Sequence, residues 1–241
     1  MRNKYIIKNQ EHGSNILISV VYDYGDCVEI IKTSVDDESK KSLENELIGY
    51  SWYHNKGGLV TPRIIKDNNH FFSISIPYVN GKTKNPIYGY TLNKKYINLM
   101  IKTYKEIWNK DKGSDNAPFH GDFSIGNMIH SDGKINFIDW EHFAKDRFPI
   151  GIDLLNLLFE QLWFEKRIIG IRKRTLNDIS FLLRDLVNEG YLLYKERAYL
   201  SYLVSIIKNN KDHWGSQIEK MPILKFTNSE ISYIDDYFSL I

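Results

Sequence analysis

The chain has 241 residues, enough for one large domain or two small lobes. Its 32 basic and 30 acidic side chains leave a formal net charge of +2, so no basic excess points to a nucleic-acid partner. The single cysteine, Cys27, excludes an internal disulfide and a cysteine-based zinc site and fits a reducing, cytoplasmic setting; Met1 to Lys8 is too polar for a signal peptide, and no apolar run reaches the length of a membrane span.

In chain order, Ile16 to Tyr22 is apolar and β-branched, Tyr24-Gly25-Asp26 is a turn, and Cys27 to Lys32 is the returning strand of a hairpin. Asp36, Asp37 and Ser39 can start a helix running to about Tyr53, with Leu43, Leu47, Ile48, Tyr50 and Trp52 mostly at helical spacing; Gly57-Gly58 ends it. Strands are expected around Arg63–Lys66 and Phe71–Ile76. Pro77-Tyr78-Val79-Asn80-Gly81 then reads as extended and turning, a place for a lobe boundary. After Thr91 the pattern turns helical, with Tyr96, Leu99, Met100, Thr103 and Ile107 on one face. A polar loop, Asp111 to Pro118, leads into 119–142, and from Gly151 onward helices are expected over about 152–167, 176–189, 192–209 and 229–239. The expected organisation is α+β: a strand-rich part with one helix at 1–76, a connector at 77–81 and a helix-rich part at 82–241.

The chemistry concentrates in His120-Gly121-Asp122-Phe123-Ser124-Ile125-Gly126-Asn127, followed by Ile138-Asp139-Trp140-Glu141. Phosphoryl transfer needs a carboxylate to orient and deprotonate the attacking hydroxyl, and oxygen ligands for the magnesium that neutralises the phosphates. Asp122 and Asn127, five residues apart on one irregular loop, can face a common cleft. The strand-like stretches Met128–His130 and Ile135–Ile138, joined through Ser131-Asp132-Gly133-Lys134, form a hairpin that returns the chain and brings Asp139 back toward Asn127. Few protein oxygens, with phosphate and water completing the octahedron, are what magnesium prefers.

HGDFSIGN together with IDWE resembles the aminoglycoside phosphotransferase and choline kinase superfamily, which shares its fold with protein kinases. The resemblance covers roughly residues 10 to 160. It implies a bilobal protein-kinase-like fold with the active site between the lobes, ATP (or GTP) and Mg2+ as cofactors, and a small-molecule acceptor with a hydroxyl group: an amino alcohol such as choline, an aminoglycoside or a sugar. Asp122 is then the catalytic base, and Asn127 and Asp139 are the metal ligands. Asp139-Trp140-Glu141 stands where protein kinases carry DFG, which favours the small-molecule branch.

The same resemblance places Lys32, at the end of the strand Val28 to Ile31, on the nucleotide phosphates, paired with a helix glutamate. The resemblance favours Glu46 as the matching residue, and Glu44, two positions away on another helix face, is the rival that the sequence leaves open. No G-x-G-x-x-G is present, so the phosphate-covering loop falls at Asn9–Asn15, with Gly13 and Ser14, residues that could equally form an ordinary hairpin turn. Pro77, Tyr78 and Val79 fall in the connector that meets the base. Asp153 resembles an aspartate that braces the catalytic loop. Trp163, Phe164, Tyr199, Tyr202 and Trp214 could cage a quaternary ammonium or could be core. No nucleic-acid or membrane partner is expected, and the sequence leaves the oligomeric state open.

Overall fold

The computed structural model of the chain describes residues 2–8, 16–67, 71–83, 94–131, 133–194 and 196–240. Contacts divide the chain into two compact units, Met1–Lys82 with Ile129–Phe143 and Thr83–Met128 with Ala144–Ile241. The hairpin stretch within 129–143 thus packs with the first unit although it follows the loop at 120–127 in sequence.

The first unit is built on a five-stranded antiparallel sheet of β1 (Arg2–Lys8), β2 (Ile16–Asp23), β3 (Asp26–Ser34), β4 (Arg63–Asp67) and β5 (Phe72–Pro77), in the order β1-β2-β3-β5-β4. β2 and β3 are the hairpin expected from the turn at Tyr24-Gly25, where both residues take positive φ. β3 is central, and Lys32 sits in register with Ile18 on one side and Ile74 on the other.

Helix α1 (Asp37–Asn55) starts at a capping box, in which Asp36 accepts from the Ser39 N–H while the Ser39 hydroxyl accepts from the Asp36 N–H. Its buried stripe is Ser39, Leu43, Glu46, Gly49, Tyr50 and Tyr53. That stripe has helical period, yet it contains a carboxylate and a glycine, neither of which belongs on a helix face selected for packing alone. A short three-stranded sheet, order β6-β8-β9, is formed by β6 (Lys82–Thr83), β8 (Met128–Ser131) and β9 (Lys134–Phe137).

The second unit is helical. It contains α2 (Lys94–Ile107), a strand pair of β7 (Ala117–Phe119) with β10 (Ala144–Phe148), and then α3 (Ile152–Ile169), α4 (Lys173–Asn188), α5 (Tyr199–Asn209), α6 (Lys211–Trp214) and α7 (Asn228–Ser239). α3 is buried on every side from Ile152 to Trp163, which marks it as the central helix of this unit. Around it, Leu176, Ile179, Leu183 and Leu186 face inward from α4, and Leu200, Leu203, Val204 and Ile207 from α5.

Two sequence expectations need correction. The buried face of α2 is Tyr96, Ile97, Met100, Ile101 and Tyr104, continued by Trp108 just past its end, whereas Leu99, Thr103 and Ile107 are only half-buried. The large aromatics Tyr104 and Trp108, stacked at 4.2 Å, set the face. The helix expected over 192–209 begins only at Tyr199, because Arg197 takes φ 63, a left-handed conformation that no helix can include. Among the described residues no helix is long and apolar enough to cross a membrane.

Candidate active site

In the first unit, α1 and β3 together hold a charged triad. Lys32 Nζ donates to both carboxylate oxygens of Glu46, at 2.7 and 2.9 Å, and to Asp139 Oδ1 at 2.8 Å. Glu46 is fully buried, Lys32 is 15% exposed and Asp139 is 37% exposed, so the ammonium reaches from the protein interior to an accessible carboxylate. Glu44 is exposed, and the helix face settles the pairing in favour of Glu46.

Burial alone would lower the Lys32 pKa, but Asp139 and Glu46 outweigh it and hold the group well above its usual value, so the ammonium stays charged. Burial pushes Glu46 up to about 7, with Lys32 pulling it back and Asp139 adding to the rise. One cation between two carboxylates leaves the triad with an excess of negative charge when all three are ionised, an arrangement suited to receive a further cation.

Asp139 is held from the backbone side as well. Its N–H donates to the Tyr50 hydroxyl at 3.1 Å, and the Phe137 N–H donates to the Tyr53 hydroxyl at 3.3 Å. Both tyrosines are on the α1 stripe, about three and four turns beyond Ser39, and Tyr53 stacks on Trp140 at 5.2 Å. Asp139 itself has φ 65, in the left-handed region that aspartate tolerates better than most side chains.

Gly49 makes this close approach possible. A Cβ there would sit 2.6 Å from Trp140 Cβ and 2.9 Å from Phe143 Cβ, both too near the main chain to swing away. Gly49→Ala adds about 1 kcal/mol of helix propensity but forces an overpacked contact costing about 1–3 kcal/mol. The expected result is a lower melting temperature, by roughly 2–4 °C per net kcal/mol, which calorimetry checks.

In the second unit, β7 runs into the loop at 120–127, and α3 braces that loop from its first turn. Asp153 accepts from the His120 N–H at 2.9 Å and from the Gly121 N–H at 3.2 Å. Gly121, at φ 92, turns the chain so that both N–H groups reach one carboxylate. Trp214 Nε1 donates to the Gly121 carbonyl at 3.1 Å, a second brace from the other end of the unit. Burial pushes Asp153 up to about 7 against the pull of those two N–H groups. His120 is fully buried, with its ring at the edge of Phe123, and its Nδ1 lies 3.4 Å from the Asp122 N–H; it braces the loop from within.

The loop closes on itself through Asn127, whose Nδ2 donates to the Asp122 carbonyl at 3.0 Å and to Asp122 Oδ2 at 2.7 Å. With the amide nitrogen so committed, the side-chain oxygen of Asn127 is the atom that could hold a metal. Asp122 is half-buried.

Two residues near this loop escaped sequence reasoning. Trp214 gave no sign of its role. Glu160, on α3, is 8% exposed, its Oε2 has no hydrogen-bond partner, and burial raises its pKa well above the usual value, with the Asp122 charge adding to the rise. The available signal was a carboxylate inside the apolar stretch Leu154 to Trp163.

For the remaining expected residues, Pro77 closes β5 opposite Glu29, and the Tyr78 N–H donates to the Val28 carbonyl at 3.1 Å, so that donor is already used within the sheet. Ser14 and its loop lie outside the described residues. Trp163, Tyr199 and Trp214 are buried as core, and Trp163 already carries Arg167 and Lys225 over its ring.

No protein-family model matches the chain, and no curated protein matches it. Among solved structures it is similar to that of a streptomycin–ATP–APH(2")-IIa ternary complex, at 14% identity over 77% of this chain and 87% of that one, with a TM-score of 0.40. A likeness of this depth assigns neither substrate nor chemistry to the chain, which its own residues must carry.

Proposed function

We infer that the chain is a phosphotransferase that moves the terminal phosphate of ATP or GTP onto a hydroxyl of a small molecule. The observation that carries this reading is Lys32, a charged lysine fixed by a buried glutamate and presented to the carboxylate of Asp139. A lysine held this way is a point charge for nucleotide phosphates. Asp122 takes the proton of the acceptor hydroxyl as its oxygen attacks the terminal phosphorus and the bond to the bridging oxygen breaks, releasing the nucleoside diphosphate.

The donor set suits magnesium: the amide oxygen of Asn127 and the carboxylate of Asp139 are hard oxygen ligands. Among the described residues no group of three or more His, Cys, Asp or Glu side chains could hold a metal alone. When bound, the ion supplies charge neutralisation on the phosphate oxygens. Lys32 then exchanges Asp139 for a phosphate oxygen, while Glu46 keeps the ammonium in place.

Pro77, Tyr78 and Val79 are proposed to flank the base, with Val79 supplying backbone contacts because the Tyr78 N–H is taken, and Ser14 to cover the phosphates. The proposed acceptors are an amino alcohol such as choline, an aminoglycoside or a sugar.

The test is nucleoside diphosphate release from Mg-ATP and Mg-GTP by the purified protein. The panel comprises choline, ethanolamine, aminoglycosides, simple sugars and nucleosides. Acceptor-dependent release is expected, and Asp139→Ala should abolish the magnesium-dependent turnover. Neither release nor magnesium-dependent nucleotide binding would overturn the reading; binding without release on any acceptor would make the chain a nucleotide sensor.

A further inference from the structure

One face of α4 carries polar side chains that the chemistry above does not use. Ser180, Arg184 and Asn188 stand at i, i+4 and i+8, along one face of the helix. With Val187 they line a pocket of ≈ 250 Å³, completed by Arg197 and Tyr199 at the entrance to α5 and by Phe238 of α7. All of these residues belong to the second unit.

The pocket's charge is one-sided. Among the described residues neither guanidinium has a carboxylate partner; Arg184 lies over the exposed Phe181 ring, 4.8 Å from its centre, a contact that leaves its charge intact. Arg197 acts electrostatically on Tyr199, drawing its hydroxyl pKa down against the larger upward push of burial. The nearby carboxylates are engaged elsewhere: Asp235 accepts from the N–H groups of Leu200 and Ser201, capping α5, and Glu196 meets the Tyr194 hydroxyl. Arg184 and Arg197 both line the pocket, and the repulsion between two like charges there is a cost that an anion offsets.

We propose that this pocket binds the phosphate of a small organic phosphate monoester, at a site separate from the phosphotransfer residues. Two guanidinium forks with a hydroxyl, an amide and a phenol offer more donors than the two oxygens of a carboxylate can use, whereas a phosphate monoester presents three oxygens and up to two charges. Val187 and Phe238 supply the apolar lining for a short organic body. The volume lies below the roughly 300–1,000 Å³ of drug-sized sites, so the body is small.

The experiment is isothermal titration of the full chain with phenyl phosphate, and with inorganic phosphate and benzoate for comparison, in the wild type and in Arg184→Ala and Arg197→Gly. Arg184 is on an exposed helical face where alanine is accepted, and glycine at 197 relieves the backbone, so at least one variant stays folded by circular dichroism. Phenyl phosphate is expected to bind more tightly than either comparison ligand and to lose roughly tenfold or more in affinity in each folded variant, as for a charge-assisted hydrogen bond. No binding at millimolar concentration overturns the proposal. Binding that neither variant weakens also overturns it, since the anion is then held elsewhere, for instance by Lys32. Benzoate binding as tightly as phenyl phosphate overturns the phosphate assignment.

Discussion

Asp122→Asn is expected to lower turnover by about 10²–10⁴-fold, the range for loss of a positioned general base, while nucleotide affinity stays within about twofold of the wild type. The separation follows from the geometry. An asparagine oxygen at 122 can still accept from Asn127 Nδ2, which now donates to Asp122 Oδ2 at 2.7 Å, and the carbonyl of residue 122 keeps its own bond from the same amide. The loop is therefore held while the proton acceptor is lost. Steady-state kinetics on the best acceptor, with nucleotide titration in parallel, measure the two quantities. Full activity in Asp122→Asn would remove the base from the mechanism; a parallel fall in nucleotide affinity would mean that residue 122 shapes the loop instead.

The second large effect is on stability and pH together. Lys32→Met removes the only cation of the triad and leaves Glu46 buried beside Asp139. Breaking a buried pair from one side costs about 3–5 kcal/mol when the orphaned charge stays ionised. Glu46, however, is already pushed up to about 7 with Lys32 in place, and without the ammonium it rises further. It therefore takes a proton in the folded variant. A carboxyl whose folded pKa lies above its unfolded value loses its stabilising contribution as pH rises toward the folded pKa. In the wild type that window runs from about 4.5 to about 7 for this group. In Lys32→Met it extends into the alkaline range.

The variant's deficit should be small near pH 6 and grow toward pH 8.5, with a slope of at most ~1.4 kcal/mol per pH unit. Adding Glu46→Gln should flatten that slope and recover most of the stability, while turnover remains lost in both. Denaturant midpoints at several pH values read the first part and nucleoside diphosphate release reads the second. A pH-independent deficit would show that Glu46 does not carry the orphaned charge. Recovery of turnover in the double variant would assign Lys32 a purely structural role.

Much of this was legible because it is local. The hairpin of β2 and β3 follows from β-branched runs around Tyr24-Gly25, and α1 from a capping residue ahead of helical spacing. Asp122 and Asn127 are five residues apart, so a loop alone brings them together; the choice between Glu46 and Glu44 stays open in the sequence, and the bonds from Lys32 to Glu46 make it. What escaped depends on packing across long stretches of sequence. Trp214 reaches Gly121 from 93 residues away, and no spacing rule announces that. The face of α2 was misjudged because Leu99 and Ile107 compete in hydrophobicity with Tyr104 and Trp108, and stacking between the two rings decides it. The start of α5 was misplaced because Arg197 looks like an ordinary helical residue until its backbone is seen.

Asp139 also bears on how this fold could lose its chemistry. Its left-handed backbone is one that glycine adopts without penalty and asparagine nearly so. Backbone conformation alone would therefore rank glycine first at this position, but the Asp139 carboxylate also holds the Lys32 ammonium at 2.8 Å. Asp139→Gly would relieve the backbone and at the same time remove one of the two carboxylates on that lysine, so the two effects on folding oppose each other, and Glu46 alone would keep the ammonium tethered.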